Sequence, residues 1–106
     1  MTKKVVKAMI NWLSPEQGGK KNIISQFRDN KDNPIIRYNP NIFFDGVDFG
    51  EVTWSADIYI KDLNEDLESN ISLSFLVEWA PFELLKSGQS FKLYEGAKLV
   101  ATGTIV

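Results

Sequence analysis

The chain has 106 residues, with 14 acidic and 12 basic side chains and a net charge of −2. This length predicts a single domain over residues 1–106. The weak negative charge argues against a general attraction to nucleic acids or anionic membranes, and we expect no DNA partner. The sequence has no cysteine and no histidine, which excludes thiolate chemistry and removes the commonest general base and metal ligand. We therefore expect no cofactor and no metal site.

Apolar runs near the amino terminus are short. In MTKKVVKAMINWL they reach only two or three residues, whereas a secretory signal needs about 7–15. No stretch approaches the roughly 18 apolar residues of a membrane-spanning helix. We expect a cytoplasmic protein without a membrane partner.

Three long segments alternate apolar and polar residues, which predicts β-strands with one face on a core. They span residues 3–13, 51–60 and 70–79. The alternation places all three tryptophans of the chain in the core. The predicted inward residues are Val6, Ala8, Ile10 and Trp12 in the first segment, Val52, Trp54, Ala56, Ile58 and Ile60 in the second, and Ile71, Leu73, Phe75, Val77 and Trp79 in the third.

Shorter strands complete the predicted sheet. Residues 34–44 read as a strand interrupted by Pro40, which indicates an edge, a bulge or a bend. Two more strands are predicted over Ser90–Tyr94 and Leu99–Val106, joined by a tight turn at Gly96. Six or so strands with spaced turns predict an all-β domain, a small antiparallel six-stranded β-barrel or sandwich.

The acidic segment of residues 61–69 allows two interpretations. Its alternating oxygen ligands are typical of the first half of a calcium loop, but the glycine at the sixth position is missing and Leu73 stands where a glutamate is needed. Leu63 and Leu67 are four residues apart, as on one face of a helix. We favour a solvated helical turn.

The last two strands carry a resemblance to a known domain. Tyr94-Glu95-Gly96-Ala97, followed by Val100-Ala101-Thr102-Gly103, resembles the turn and final strand of the C-terminal β-barrel, the third domain, of bacterial elongation factor Tu. Upstream, LSPEQGGK (residues 13–20) resembles the entry loop of that barrel. RYNPNIFF (residues 37–44) resembles its Tyr-Arg-Pro-Gln-Phe-Tyr-Phe stretch. The matches are collinear over nearly the whole chain, so the resemblance implies a stand-alone copy of this barrel.

The resemblance also implies a candidate RNA-facing surface, because the family's barrel contacts the T-stem of aminoacylated tRNA. Asn41 stands at the family's glutamine, while Tyr94 and Asn39 stand where the family has arginines. These losses weaken a phosphate-binding surface. Including nearby lysines of the basic amino-terminal part, the candidate binding residues are Arg37, Tyr38, Asn41, Tyr94, Glu95, Gly96, Lys20 and Lys21.

No phosphate-binding loop of the GTPase type is present in the sequence. We therefore expect that the protein is not an enzyme, and we predict that it is a binding module with another protein as its partner. Two alternatives remain open. The first is an RNA-binding module for structured RNA such as tRNA. The second is a structural subunit or homo-oligomer, in which the segment around Pro40 supplies an edge strand.

Overall fold

The computed structural model describes residues 4–14, 35–48 and 50–106. In these ranges it contains seven antiparallel strands and one short 3₁₀ turn at Phe82–Leu84. Among the described residues no helix is long and apolar enough to cross a membrane. The strands are β1 (Val6–Trp12), β2 (Ile36–Tyr38), β3 (Asn41–Phe44), β4 (Trp54–Ile60), β5 (Glu68–Phe75), β6 (Ser90–Glu95) and β7 (Lys98–Ile105).

Six of these strands close into a barrel. Their order around the ring is β4, β3, β6, β7, β1 and β5, and β5 pairs back onto β4. Every neighbouring pair is antiparallel. The predicted six-stranded antiparallel barrel is therefore confirmed. The additional strand, β2, pairs with β4 beside β3.

Period-two alternation fills the barrel with apolar side chains. In β1 the side chains of Ala8, Ile10 and Trp12 are buried, whereas Lys7 and Asn11 are exposed. The same alternation holds through β4. Val52, which was predicted to share the inward face, precedes β4 and is 52% exposed. The buried apolar core is Ala8, Ile10, Trp12, Ile42, Phe44, Ala56, Ile58, Ile60, Ile71, Leu73, Phe75, Leu85, Phe91, Leu93, Val100, Ala101 and Ile105.

Pro40 interrupts the segment between β2 and β3, as predicted. Tyr38 lies opposite Ile58 and Asn41 lies opposite Ser55, so both strands run along the same side of β4. The carbonyl of Pro40 still accepts a 2.8 Å hydrogen bond from the Ala56 N–H. Proline has no N–H to donate, which limits its use in a ladder to such positions. Past this break, β3 pairs with both β4 and β6 and helps close the barrel.

The third alternating segment leaves the sheet earlier than its pattern predicts. Strand β5 ends at Phe75, and Trp79 lies in the following connection with 77% of its surface exposed. The prediction that Trp79 packs in the core is wrong. Phe82 in the 3₁₀ turn packs edge-on against Phe75 with ring centroids 5.3 Å apart. Phe82 thus covers this end of the core in place of Trp79.

The acidic segment before β5 is an irregular turn, so the predicted helical turn is wrong. The side-chain oxygen of Asn64 accepts hydrogen bonds from the N–H groups of Asp66 and Glu68, each at 2.9 Å. Leu67 adopts a left-handed φ of 60°, which a helix does not allow. Because an asparagine side chain can replace backbone acceptors in this way, it competes with helix formation.

Candidate functional site

The outer face of the β3–β6 ladder carries the candidate site. Phe43 lies directly opposite Lys92, and Asn41 lies opposite Tyr94. Ile42 between them is buried, so alternation turns Asn41 and Phe43 outward. Four side chains of different chemistry therefore meet on one exposed patch of the barrel.

An open groove of about 650 Å³ follows this ladder. It reaches from Gly46, in the turn after β3, to Gly96 and Ala97, in the turn between β6 and β7. Its size lies within the range of about 300–1,000 Å³ that is common for ligand sites. The side chains that give the groove its chemistry are Phe43, Asp45, Lys92 and Tyr94.

Two aromatic rings form the apolar part of the groove. Phe43 and Tyr94 pack edge to face, with ring centroids 5.3 Å apart and planes inclined at 85°. Phe43 nevertheless keeps 38% of its surface exposed. An aromatic pair of this geometry is partly fixed by its own contact, so it offers a rigid apolar surface to a binding partner.

Two opposite charges accompany the aromatic pair. Lys92 stands beside Phe43 on the neighbouring strand, and Asp45 follows β3 at the end of the groove. In the part of the chain that the structure describes, neither group has an ion-pair partner. Both side chains are exposed where they line the groove.

A smaller polar depression of about 210 Å³ adjoins the groove and shares Asp45 and Lys92 with it. The hydroxyl groups of Ser90, Thr102 and Thr104 line this second depression. Thr102 lies opposite Lys92 on β7. The shared charges thus have hydrogen-bonding groups on one side and aromatic rings on the other.

Three of the predicted binding residues lie at the groove, and two others form a different contact. Asn41, Tyr94 and Gly96 lie along the groove or its paired strands. Tyr38 is half-buried, with its ring 5.9 Å from that of Trp12. Burial raises the pKa of Tyr38, and the nearby charge of Glu95 raises it further. Glu95 thus interacts with Tyr38, which belongs to β2.

Arg37 is committed to an ion pair. Its guanidinium donates to both carboxylate oxygens of Asp57, at 2.9 and 3.3 Å, and this hydrogen bond and the charge of Asp57 raise the pKa of Arg37. Asn39 donates to the same carboxylate at 3.1 Å. The guanidinium also lies 5.7 Å from the ring centre of Tyr59. A phosphate would have to compete with all of these contacts. Lys20 and Lys21 lie outside the described residues.

Sequence reasoning missed Phe43, Asp45 and Lys92 as site residues. Alternation in β6 does turn Lys92 outward, because Phe91 and Leu93 on either side are buried. Which residue of β3 lies opposite Lys92 depends on the strand register. That register follows from barrel closure rather than from either strand alone.

A scan of protein-family models and a search of curated proteins found no match to this chain. The resemblance to the elongation factor Tu barrel remains a prediction from the sequence motifs.

Proposed function

We propose that this chain is a non-catalytic protein-binding module and that the groove along β3 and β6 is its contact surface. The observation that carries the proposal is the exposed Phe43–Tyr94 pair in an open groove. Aromatic side chains are enriched in protein interfaces and often supply most of the binding energy. A pre-formed aromatic pair also loses little side-chain entropy on binding.

Charge favours a protein partner over RNA. RNA affinity depends on cations that face phosphates, but Arg37 is paired with Asp57 and the chain carries a net charge of −2. Among the groove side chains, Lys92 is accompanied by the opposite charge of Asp45. A mixed pair of charges beside aromatic rings suits a polypeptide better than a polyanion.

The test is capture of partners from native lysate with tagged protein, at about 50 and about 300 mM salt, with analysis of both protein and RNA. We expect a protein that is retained by the wild type and lost with Tyr94→Ala. Tyr59→Ala is the matched control, because Tyr59 is an exposed tyrosine on β4 outside the groove.

Three outcomes would contradict the proposal. Recovery of tRNA at low salt and its loss at high salt, without a retained protein, would favour the RNA-binding alternative. Retention of the same protein by wild type and Tyr94→Ala would place its contact elsewhere. Self-association of the tagged and native chains would favour the homo-oligomer alternative.

A further inference from the structure

We infer that the groove binds an extended peptide segment of the partner in which a basic, an acidic and an apolar side chain occupy every second position. The inference rests on the proposed function and specifies the chemistry of the partner. It follows from the order in which Asp45, Lys92 and Tyr94 occur along the β3–β6 ladder.

The outward positions of this ladder form a regular series. The N–H of Asp45 donates to the carbonyl of Ser90 at 3.0 Å, which places these two residues side by side at one end. Phe43 faces Lys92 one step further, and Asn41 faces Tyr94 after a second step. Each step is two residues, or about 6.6 Å along a strand.

An extended peptide has the same repeat, because its alternate side chains on one face are also about 6.6 Å apart. Three such side chains would meet Asp45, then Lys92, then Tyr94. A lysine or arginine complements the first, an aspartate or glutamate the second, and an apolar side chain the aromatic ring. Placing a like charge at either of the first two positions costs binding energy. A peptide bound in the reverse direction would set its apolar residue against Asp45 and leave that carboxylate without its basic partner, so the order of the three residues favours one direction.

The polar depression beside the groove is evidence that the ligand is a peptide, because it provides groups that suit a peptide backbone. Ser90 and Thr104 lie opposite each other with a 3.3 Å hydrogen bond between their hydroxyl groups, each of which keeps further hydrogen-bonding capacity. Thr102 lies opposite Lys92. Their hydroxyl groups can both donate and accept. They are therefore suited to the N–H and C=O groups of a peptide backbone that runs over Lys92.

The test is selection of random peptides displayed on phage against the full chain and against the double variant Asp45→Lys/Lys92→Glu. From the wild type we expect peptides with a basic, an acidic and an apolar residue at alternate positions. From the double variant we expect the acidic and basic residues to exchange places. For a selected peptide, Lys92→Glu should weaken binding about fivefold or more, as measured by fluorescence polarisation.

Lys86→Glu is the matched control, because it makes the same charge change at an exposed residue outside the groove. It should leave peptide affinity within about twofold. Circular dichroism spectra and thermal midpoints of all variants check that the barrel is intact.

The outcomes separate this inference from the proposed function. Selected peptides without a charge order, or with an order that the double variant does not reverse, would overturn the inference and leave a protein-binding groove. Failure to select peptides, together with a Tyr94-dependent protein partner from lysate, would also overturn it, because the partner would then use a folded surface. If neither a peptide nor a Tyr94-dependent protein binds, both proposals are wrong.

Discussion

Gly103 on β7 has no room for a side chain. A Cβ atom at this position would lie 2.6 Å from Cζ of Phe91 and 2.7 Å from Cγ2 of Ile10. Both neighbours are buried, so they can yield only by disturbing the core. We expect Gly103→Ala to lower the free energy of unfolding by about 1–3 kcal/mol, measured by urea denaturation.

Thr104→Ala provides the control for Gly103, because Thr104 is the next residue of β7 and points to solvent. It should change the free energy of unfolding by about 0.5 kcal/mol or less. Equal stabilities of wild type and Gly103→Ala would show that the Phe91 and Ile10 side chains rearrange without cost.

Tyr38 makes the barrel less stable at alkaline pH. Burial, followed by the charge of Glu95, raises the pKa of Tyr38 above its ordinary value of 10.0. Above that pH the unfolded chain releases the phenolic proton while the folded chain keeps it, so the unfolded state is favoured. We expect the free energy of unfolding to fall as pH rises through 10 and beyond, as measured by denaturant titrations across this range.

Tyr38→Phe removes the ionisable hydroxyl and should reduce this alkaline loss of stability. Tyr59→Phe removes a hydroxyl from an exposed tyrosine of β4 and is the control for this chemical change at the surface. Identical profiles for wild type and Tyr38→Phe would show that Tyr38 ionises equally in both states.

At the scale of elements, Asn64 organises the turn that leads into β5. Its side-chain oxygen accepts two backbone N–H groups, and its amide donates to the Glu68 carboxylate at 3.0 Å. The turn is tied to the barrel because the N–H of Trp12 donates to the Leu67 carbonyl at 2.8 Å. We expect Asn64→Ala to lower the free energy of unfolding by about 1–2 kcal/mol, measured by thermal or urea denaturation.

Glu65→Ala is the comparison for this turn, because Glu65 is exposed and neighbours Asn64 in the chain. It should be nearly neutral. If both substitutions have the same small effect, water replaces the Asn64 contacts at no cost.

The strands could be predicted from the sequence because each carries the same period-two signal over several residues. The end of β5 could not, because the alternation continues through Val77 to Trp79 after the chain has left the sheet. A pattern of polarity marks which residues could share a face, but not where hydrogen bonding to a neighbour stops. Beyond that boundary the ring contacting Phe75 is that of Phe82 in the 3₁₀ turn, a contact that no alternation pattern predicts.

The site was predictable only in part, for a related reason. Asn41 and Tyr94 were chosen from a resemblance, and the structure pairs them. The Arg37–Asp57 ion pair joins residues 20 positions apart, on strands whose pairing the sequence does not give. That contact engages Arg37 with Asp57, and Arg37 is not among the residues that line the groove.

At the scale of the whole molecule, the barrel divides the strands into two classes. Every strand of the closed ring has a partner on both sides, whereas β2 lies outside the ring on the same side of β4 as β3. Strand β2 has three residues and β7 has eight. Opening of β2 therefore leaves the ring intact, while loss of β7 separates β1 from β6.

We therefore expect the β2 amides that bond to β4 to exchange hydrogen by local opening, at a free energy below that of global unfolding. The β7 amides should exchange only through global unfolding. Native-state hydrogen exchange at increasing denaturant distinguishes the two, because only global opening depends steeply on denaturant. Tyr94 lies on β6, outside β2 and β7. Tyr94→Ala should therefore not change the route, local or global opening, by which each of these two groups of amides exchanges. Protection of β2 equal to that of β7 would show that the seventh strand is as integral to the fold as the ring, and that Arg37 is held as firmly as the groove.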